Sequence, residues 1–172
     1  MDLPSKTRDY DVGLTDTSRW QHFSSRSDDV FVCTLPKNGT TWMQSLVCMI
    51  LFESAELDFV PQAYSPWFDA RFRPVEETAA AIDELTTRRV IKTHSALDGI
   101  PYFPECTYIT VWRDPRDAFI SMRNHMDNMI LDMGQSDMEQ DTNLAFRTYV
   151  DCETPRLGEG NESLAAHIEF FQ

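Results

Sequence analysis

Three short segments of the chain combine residue types that can hold an anion and move a proton. The first, Pro36-Lys37-Asn38-Gly39-Thr40-Thr41-Trp42, joins an apolar run to a helical pattern. A strand–loop–helix turn presents unpaired backbone N–H groups, and the positive end of the helix dipole adds to them. Gly39 permits close backbone approach, Thr40 and Thr41 add hydroxyl donors, and Lys37 adds a full positive charge. Together these suit a phosphate. The pattern is not a Walker A loop, which has two glycines and a lysine directly before Ser or Thr. The second segment, Ile91-Lys92-Thr93-His94, sets a lysine and a histidine at the end of an apolar run. Imidazole titrates near working pH and suits a general base, although no carboxylate partner for His94 can be assigned from sequence. The third is Arg113-Asp114-Pro115-Arg116-Asp117, with Ser121 further along. A guanidinium is the expected bidentate partner of a phosphate. Seven helical rises from Asp114 to Ser121 cover roughly 10 Å, a gap that the Arg113 side chain can largely close. Arg116 and Asp117 read instead as the solvated start of a capped helix.

These segments need elements to position them. Val30 to Leu35 is a short apolar run suited to a strand buried on both faces, followed by a helix from Thr41 to about Glu53. Apolar residues fall on nearly every side of that helix, which predicts that it too is buried. Residues 59–74 read as an aromatic loop, 75–85 as a helix, and 89–93 and 107–112 as strands. Asp114 is a candidate N-cap with Pro115 at the first helical position, opening a helix with Phe119, Met122, Met126 and Met129 at helical spacing. Strands alternating with helices predict an α/β fold, a parallel sheet flanked by helices, in which ligands gather beyond the carboxyl ends of the strands. All three segments lie at that edge. Residues 1–28 are polar and read as an irregular lead-in to a domain over 29–172. Ser163 is a candidate N-cap for a helix through Leu164, Ile168 and Phe171, and no stop signal precedes Gln172. The expectation is a domain truncated at its C-terminal end, with an open sheet edge and Ile168, Phe170 and Phe171 lacking a partner.

Composition narrows the function classes. The length of 172 residues suits one domain, and 42% hydrophobic residues can build a core. Fifteen Lys+Arg against 28 Asp+Glu give a formal charge of −13, which argues against nucleic acid or an anionic membrane as partner. A small anionic ligand needs only a few cations in one place, and two of the three lysines, Lys37 and Lys92, fall inside the segments above. Cys33, Cys48, Cys106 and Cys152 form no C-x-x-C pair, so no metal site is expected and the thiols read as buried or spare. The first 30 residues lack an apolar signal-peptide core, and the stretch Leu46 to Phe52 is too short to span a bilayer. A cytoplasmic, reducing setting is the simplest expectation.

The first segment resembles the 5′-phosphosulfate loop of the sulfotransferase family, usually written P-K-S-G-T-T-W, with Asn38 in place of the common Ser. All three segments match that family in order and spacing over about residues 28–130. The resemblance implies a P-loop-like nucleotide-binding domain that uses 3′-phosphoadenosine 5′-phosphosulfate (PAPS), releases 3′,5′-adenosine bisphosphate (PAP) and requires no metal. It implies that the loop of Lys37, Asn38 and Gly39 binds the cofactor, with Lys37 at the bridging oxygen and the transferring group. Thr40 and Thr41 would hold the 5′-phosphate, Trp42 would stack on adenine, and Arg113 and Ser121 would hold the 3′-phosphate. His94 would be the general base, with Lys37 and Lys92 stabilising charge during transfer to an acceptor hydroxyl. The acceptor is open among phenols, steroids, glycolipids and carbohydrates, and the oligomeric state is unreadable. Tyr64, Trp67 and Phe68 fit an acceptor pocket or plain core, and His125, similar to a position near the family's acceptor site, is left unassigned. Family members carry a basic R-K-G segment for the 3′-phosphate in their carboxyl-terminal half, and no such segment exists here. Two rivals follow: a non-catalytic nucleotide-binding remnant, and a phosphotransferase, which the missing Walker Lys-Ser/Thr pair disfavours.

Overall fold

The computed structural model describes residues 4–128, 141–153 and 163–171. Its centre is a parallel three-stranded sheet in the order β4 (Val90–Thr93), β3 (Val30–Cys33), β5 (Thr107–Thr110). Side chains alternate across β3 as a period of two demands. Val30 and Val32 face α1 (Thr40–Leu51), packing with Val47, Val90 and Ile109. Phe31 and Cys33 face the opposite layer, where Ile91, Phe68, Trp20, Ile82 and Ile100 close the main core. Ile82 comes from α3 (Val75–Asp83). Tyr108 of β5 stacks on Phe31 with ring centroids 4.7 Å apart. Full burial of an aliphatic or aromatic side chain is worth about 1.5–3 kcal/mol, so the central strand carries much of the stability.

The register is flush. Cys33 of β3 pairs with Thr93 of β4 and with Thr110 of β5, so all three strands end at one level. The segments that follow them therefore leave the sheet side by side. α4 (Pro115–Asn128) begins five residues beyond β5, and the Asp114 side chain caps its first turn by accepting from Arg116 N at 2.9 Å. Buried Ala118 and Met122 set its inner face, while Met129 lies outside the described residues.

Several sequence expectations change. Residues 4–28 are not wholly irregular: they hold a hairpin of β1 (Asp11–Val12) and β2 (Thr15–Asp16) and a 3₁₀ turn over Thr17–His22. That turn buries Trp20 in the main core. The helix α1 is only half buried, since Trp42 is 77% and Ile50 75% exposed while Gln44 and Cys48 are wholly inside. The aromatic loop contains α2 (Pro61–Tyr64) and then pairs with β4: Lys92 N donates to Pro66 O at 3.0 Å and Phe68 N to Lys92 O at 3.2 Å. This short bridge covers part of the β4 edge of the sheet. Phe170, at the end of α6 (Leu164–Glu169), does have partners in Tyr10, Leu35 and Ala96. A further helix, α5 (Thr142–Asp151), was not anticipated; Phe146 and Tyr149 pack on Phe119 of α4 at 5.2 Å.

One ion pair locks the lower end of the sheet. Arg89 and Asp29, both wholly buried, meet in a fork in which Nε donates to Oδ1 at 2.7 Å and a terminal nitrogen to Oδ2 at 2.6 Å. Arg89 also reaches Asp83 Oδ1 at 2.8 Å and the Ser24 carbonyl at 2.7 Å. Removing one partner of a buried pair strands the other charge, at a cost of about 3–5 kcal/mol. Asp29→Ala is expected to lower the unfolding free energy by that order in a denaturant titration. Arg116→Ala, which breaks an ion pair made by an exposed arginine, should change it by no more than about 0.5 kcal/mol. Equal effects from the two variants would contradict the assigned weight of the Arg89–Asp29 pair.

Candidate functional site

The loop between β3 and α1 is built around two left-handed residues. Gly39, the N-cap of α1, sits at φ 101 and offers no side chain to cap the helix. A Cβ there would meet only Val111 Cγ1 at 3.6 Å, so glycine is demanded by conformation and not by space. Lys37 holds φ 63, a conformation that costs a non-glycine residue roughly 1–3 kcal/mol and must be imposed by its surroundings. Asn38 supplies part of that restraint. Its side chain is buried, donates to Pro36 O at 3.1 Å and accepts from Arg113 N at 3.1 Å. It braces the loop from within and is absent from the cleft lining. The first-turn amides of α1 have no upstream helical acceptor, which gives the turn its affinity for an anion. Thr40 has its hydroxyl in a 2.5 Å contact with that of Thr34, whereas Thr41 is exposed and accepts from Gln62 at 3.2 Å.

His94 follows β4 directly. Its Nδ1 lies 2.6 Å from the Thr34 carbonyl, which can only accept, so Nδ1 carries the proton. In the neutral ring Nε2 is then the basic nitrogen. Burial first, then the positive charges of Lys92 and Lys37, push the imidazole down to about 3. The ring is therefore neutral at working pH. Trp67 packs edge-on against His94 at 4.6 Å, and its face holds the Lys92 ammonium 4.4 Å from the ring centroid.

Arg113 closes the third side, with a guanidinium nitrogen 3.2 Å from the Lys37 carbonyl. The carbonyl of Arg113 accepts from His167 Nε2 at 3.2 Å, which anchors α6 to the turn between β5 and α4. A cleft of about 370 Å³ lies between these elements, lined by Lys37, Gly39, Thr40, Thr41 and Trp42 from the loop and α1, by Lys92 and His94 from β4, and by Arg113 and Ser121. Every site residue expected from the sequence except Asn38 faces one space. No Asp or Glu lines it, so a chain of charge −13 keeps a local concentration of cations there. His125, unassigned from sequence, lines the same cleft one helical turn beyond Ser121. Its place four residues beyond Ser121, on the same predicted helix, was the available signal. Nothing in the sequence marked Thr34, Trp67 or His167 as supports, because their partners lie far away along the chain.

Residues 27–156 match the description of a sulfotransferase domain, well over half of the chain. The chain belongs to the sulfotransferase family. It is 40% identical over 116 residues to a glycolipid sulfotransferase of Mycobacterium tuberculosis, a stretch that covers 67% of this chain and 36% of that protein. It is 32% identical over 110 residues to cytosolic sulfotransferase 17 of Arabidopsis thaliana, covering 58% of this chain and 31% of that one. Among solved structures, the mouse sulfotransferase SULT7A1 complexed with PAP matches with a TM-score of 0.62 at 18% identity, over 90% of this chain and 50% of that one. The chain thus spans about a third of the length of these curated relatives, and the fold is that of the sulfotransferase α/β domain. No helix among its described residues is long and apolar enough to cross a membrane.

The neutral state of His94 in this sulfotransferase domain has a consequence for stability. An unfolded imidazole protonates near pH 6.5, whereas the folded one resists protonation down to about 3. Between those values the unfolded chain binds more protons. The contribution of His94 to stability is therefore full above about pH 6.5 and is lost as pH falls toward 3. Between about pH 7 and about pH 5 the parent should lose about 1–2 kcal/mol more unfolding free energy than His94→Gln does. Identical pH slopes in the two proteins would show that His94 titrates normally when folded.

Proposed function

We propose that this domain belongs to an enzyme that transfers a sulfuryl group from PAPS to an acceptor hydroxyl. The observation that carries the reading is the convergence of Lys37, Lys92, His94, Arg113 and Ser121 on one cleft at the carboxyl edge of the sheet. The residues fit a doubly phosphorylated nucleotide, because an uncapped helix start beside Lys37 and a separate arginine–serine pair provide two distinct anion sites. The first-turn amides with Thr40 and Thr41 would hold the 5′-phosphate. Arg113 and Ser121 would hold the 3′-phosphate, and the exposed indole of Trp42 would stack on adenine.

When bound, PAPS supplies a sulfuryl group already activated by its phosphate leaving group, with PAP as the product. His94 Nε2 takes the proton of the acceptor hydroxyl, since Nδ1 is committed to the Thr34 carbonyl. The two lysines serve twice. Lys37 and Lys92 place positive charge beside the developing negative charge; on their own they hold His94 neutral but weakly basic, and the negative charge of PAPS beside them would raise its basicity. The acceptor is proposed to be a lipid or carbohydrate hydroxyl, on the strength of the likeness to the mycobacterial glycolipid sulfotransferase. A reducing, cytoplasmic setting agrees with four cysteines that form no disulfide.

The test is a pair of measurements on His94→Ala. Turnover with PAPS and a glycolipid acceptor should fall by about 10²–10⁴, the usual worth of a general base. Calorimetric titration with PAP should give an affinity within about two-fold of the parent, because His94 takes no part in either proposed phosphate site. Turnover within a few-fold of the parent would remove His94 from the mechanism, and failure of the parent to bind PAP would remove the reading itself.

A further inference from the structure

Asp69 is fully buried and does not line the cleft. Among the described residues no cation is paired with it. One oxygen, Oδ2, accepts three hydrogen bonds: from Trp20 Nε1 at 3.2 Å, Thr93 Oγ1 at 2.8 Å and Ser95 Oγ at 2.6 Å. The other, Oδ1, is buried with no partner. Burial pushes the carboxyl above its ordinary range, and the three donors, with its own backbone amide, only partly offset this. A carboxylate left half satisfied in a core costs stability that an apolar residue of similar size would not. Its bonds therefore invite a role beyond packing.

The bonds fall on both sides of His94. Thr93 and Ser95 are its chain neighbours, and they are joined to each other as well, Ser95 N donating to Thr93 Oγ1 at 2.9 Å. The segment that carries Asp69 also grips the residue before them. Lys92 pairs with the backbone of Pro66 and Phe68, and Trp67 lies against both the Lys92 ammonium and the His94 ring. Residues 66–69 thus hold 92–95 at every position: backbone at 92, side chains at 93 and 95, and an aromatic edge at 94.

We infer that Asp69 is a positioning residue for His94, fixing the backbone on both sides of it so that Nδ1–H stays on the Thr34 carbonyl and Nε2 stays free as the base. The inference rests on the sulfuryl-transfer reading for its catalytic meaning, but not for the geometry. Asp69 acts at one remove. A carboxylate bonded directly to Nδ1 would favour the charged ring, whereas a carbonyl on Nδ1 with the carboxylate holding the neighbours fixes orientation and leaves the imidazole neutral.

The test reads the tautomer of His94 directly, by long-range ¹H–¹⁵N NMR on the full chain with labelled histidine, the His94 signals being assigned by their loss in His94→Gln. Asp69→Ala would strand three buried donors, so the variants are Ser95→Ala, Thr93→Val and Asp69→Asn. The first two each remove one tether with little change in volume, and the third keeps an acceptor oxygen of the same shape. The parent should show a single Nδ1–H form. Ser95→Ala and Thr93→Val should each give a mixture of tautomers and Asp69→Asn a smaller change, with the signals of His167, held by the Arg113 carbonyl, unmoved. In the transfer assay the same two variants should lower kcat roughly tenfold to a hundredfold, as a small misplacement of a reacting group does, with donor KM nearly constant. A single Nδ1–H form in all three folded variants overturns the role of Asp69. Absence of transfer by the parent overturns the functional reading instead, and the tautomer result still decides the positioning.

Discussion

The flush end of three parallel strands is the constraint on which the site depends. Because β3 pairs residue for residue with both neighbours, Cys33, Thr93 and Thr110 finish level, and three loops are delivered to one edge. Each loop brings one kind of chemistry: a helix start for an anion, a histidine beside a lysine, and an arginine opening a second helix. A slip of two residues in either pairing would carry a loop about 7 Å along the strand direction, beyond the reach of its partners. The Arg89–Asp29 fork at the opposite end of the strands helps to hold that register, since it ties the residue before β4 to the residue before β3.

Once gathered, the loops restrain one another. The Thr34 carbonyl at the exit of β3 fixes the tautomer of the histidine at the exit of β4. The Asn38 side chain in the first loop receives the amide of Arg113 in the third, and Arg113 reaches back to the Lys37 carbonyl. These crosslinks help account for Lys37 remaining in a left-handed conformation that an isolated loop would leave. Electrostatics runs through the same contacts. Two lysines brought near a half-buried imidazole make its charged form unfavourable, so the geometry that collects positive charge for an anion also keeps His94 unprotonated while no anion offsets that charge.

Much of this arrangement could be read from residue order. The runs at Val30, Val90 and Thr107 are short, apolar or β-branched and sharply bounded, and each became a strand with one end as expected and the other a residue or two inside the expected limit. Most of the cleft-lining residues were legible because they stand just beyond such a run, with Lys92 inside one and Ser121 on the helix that follows another. What escaped was whatever depends on a distant partner. Trp42 and Ile50 looked buried by type, yet no element among the described residues covers that side of α1. Trp20 sits in a polar stretch whose 3₁₀ turn has no periodic signature, and it became core only through Phe31 and Phe68. The bracing role of the Asn38 side chain was not legible, because its partner lies 75 residues away. α5 carried a visible N-cap in Asp141, which accepts from Asn143 N and Leu144 N, but its apolar residues are too sparse to mark a face.

The central claim is that loops from separate strands form one site for a nucleotide with phosphates at both ends. Backbone amide NMR of the chain during titration with PAP tests this most directly. The amides of Gly39, Thr40, Thr41 and Trp42 should shift together with those around Arg113 and Ser121, along curves that share one dissociation constant. Adenosine 5′-phosphate should move only the first group at comparable concentration. Shifts confined to one loop with PAP, or two groups titrating with different constants, would contradict a single composite site.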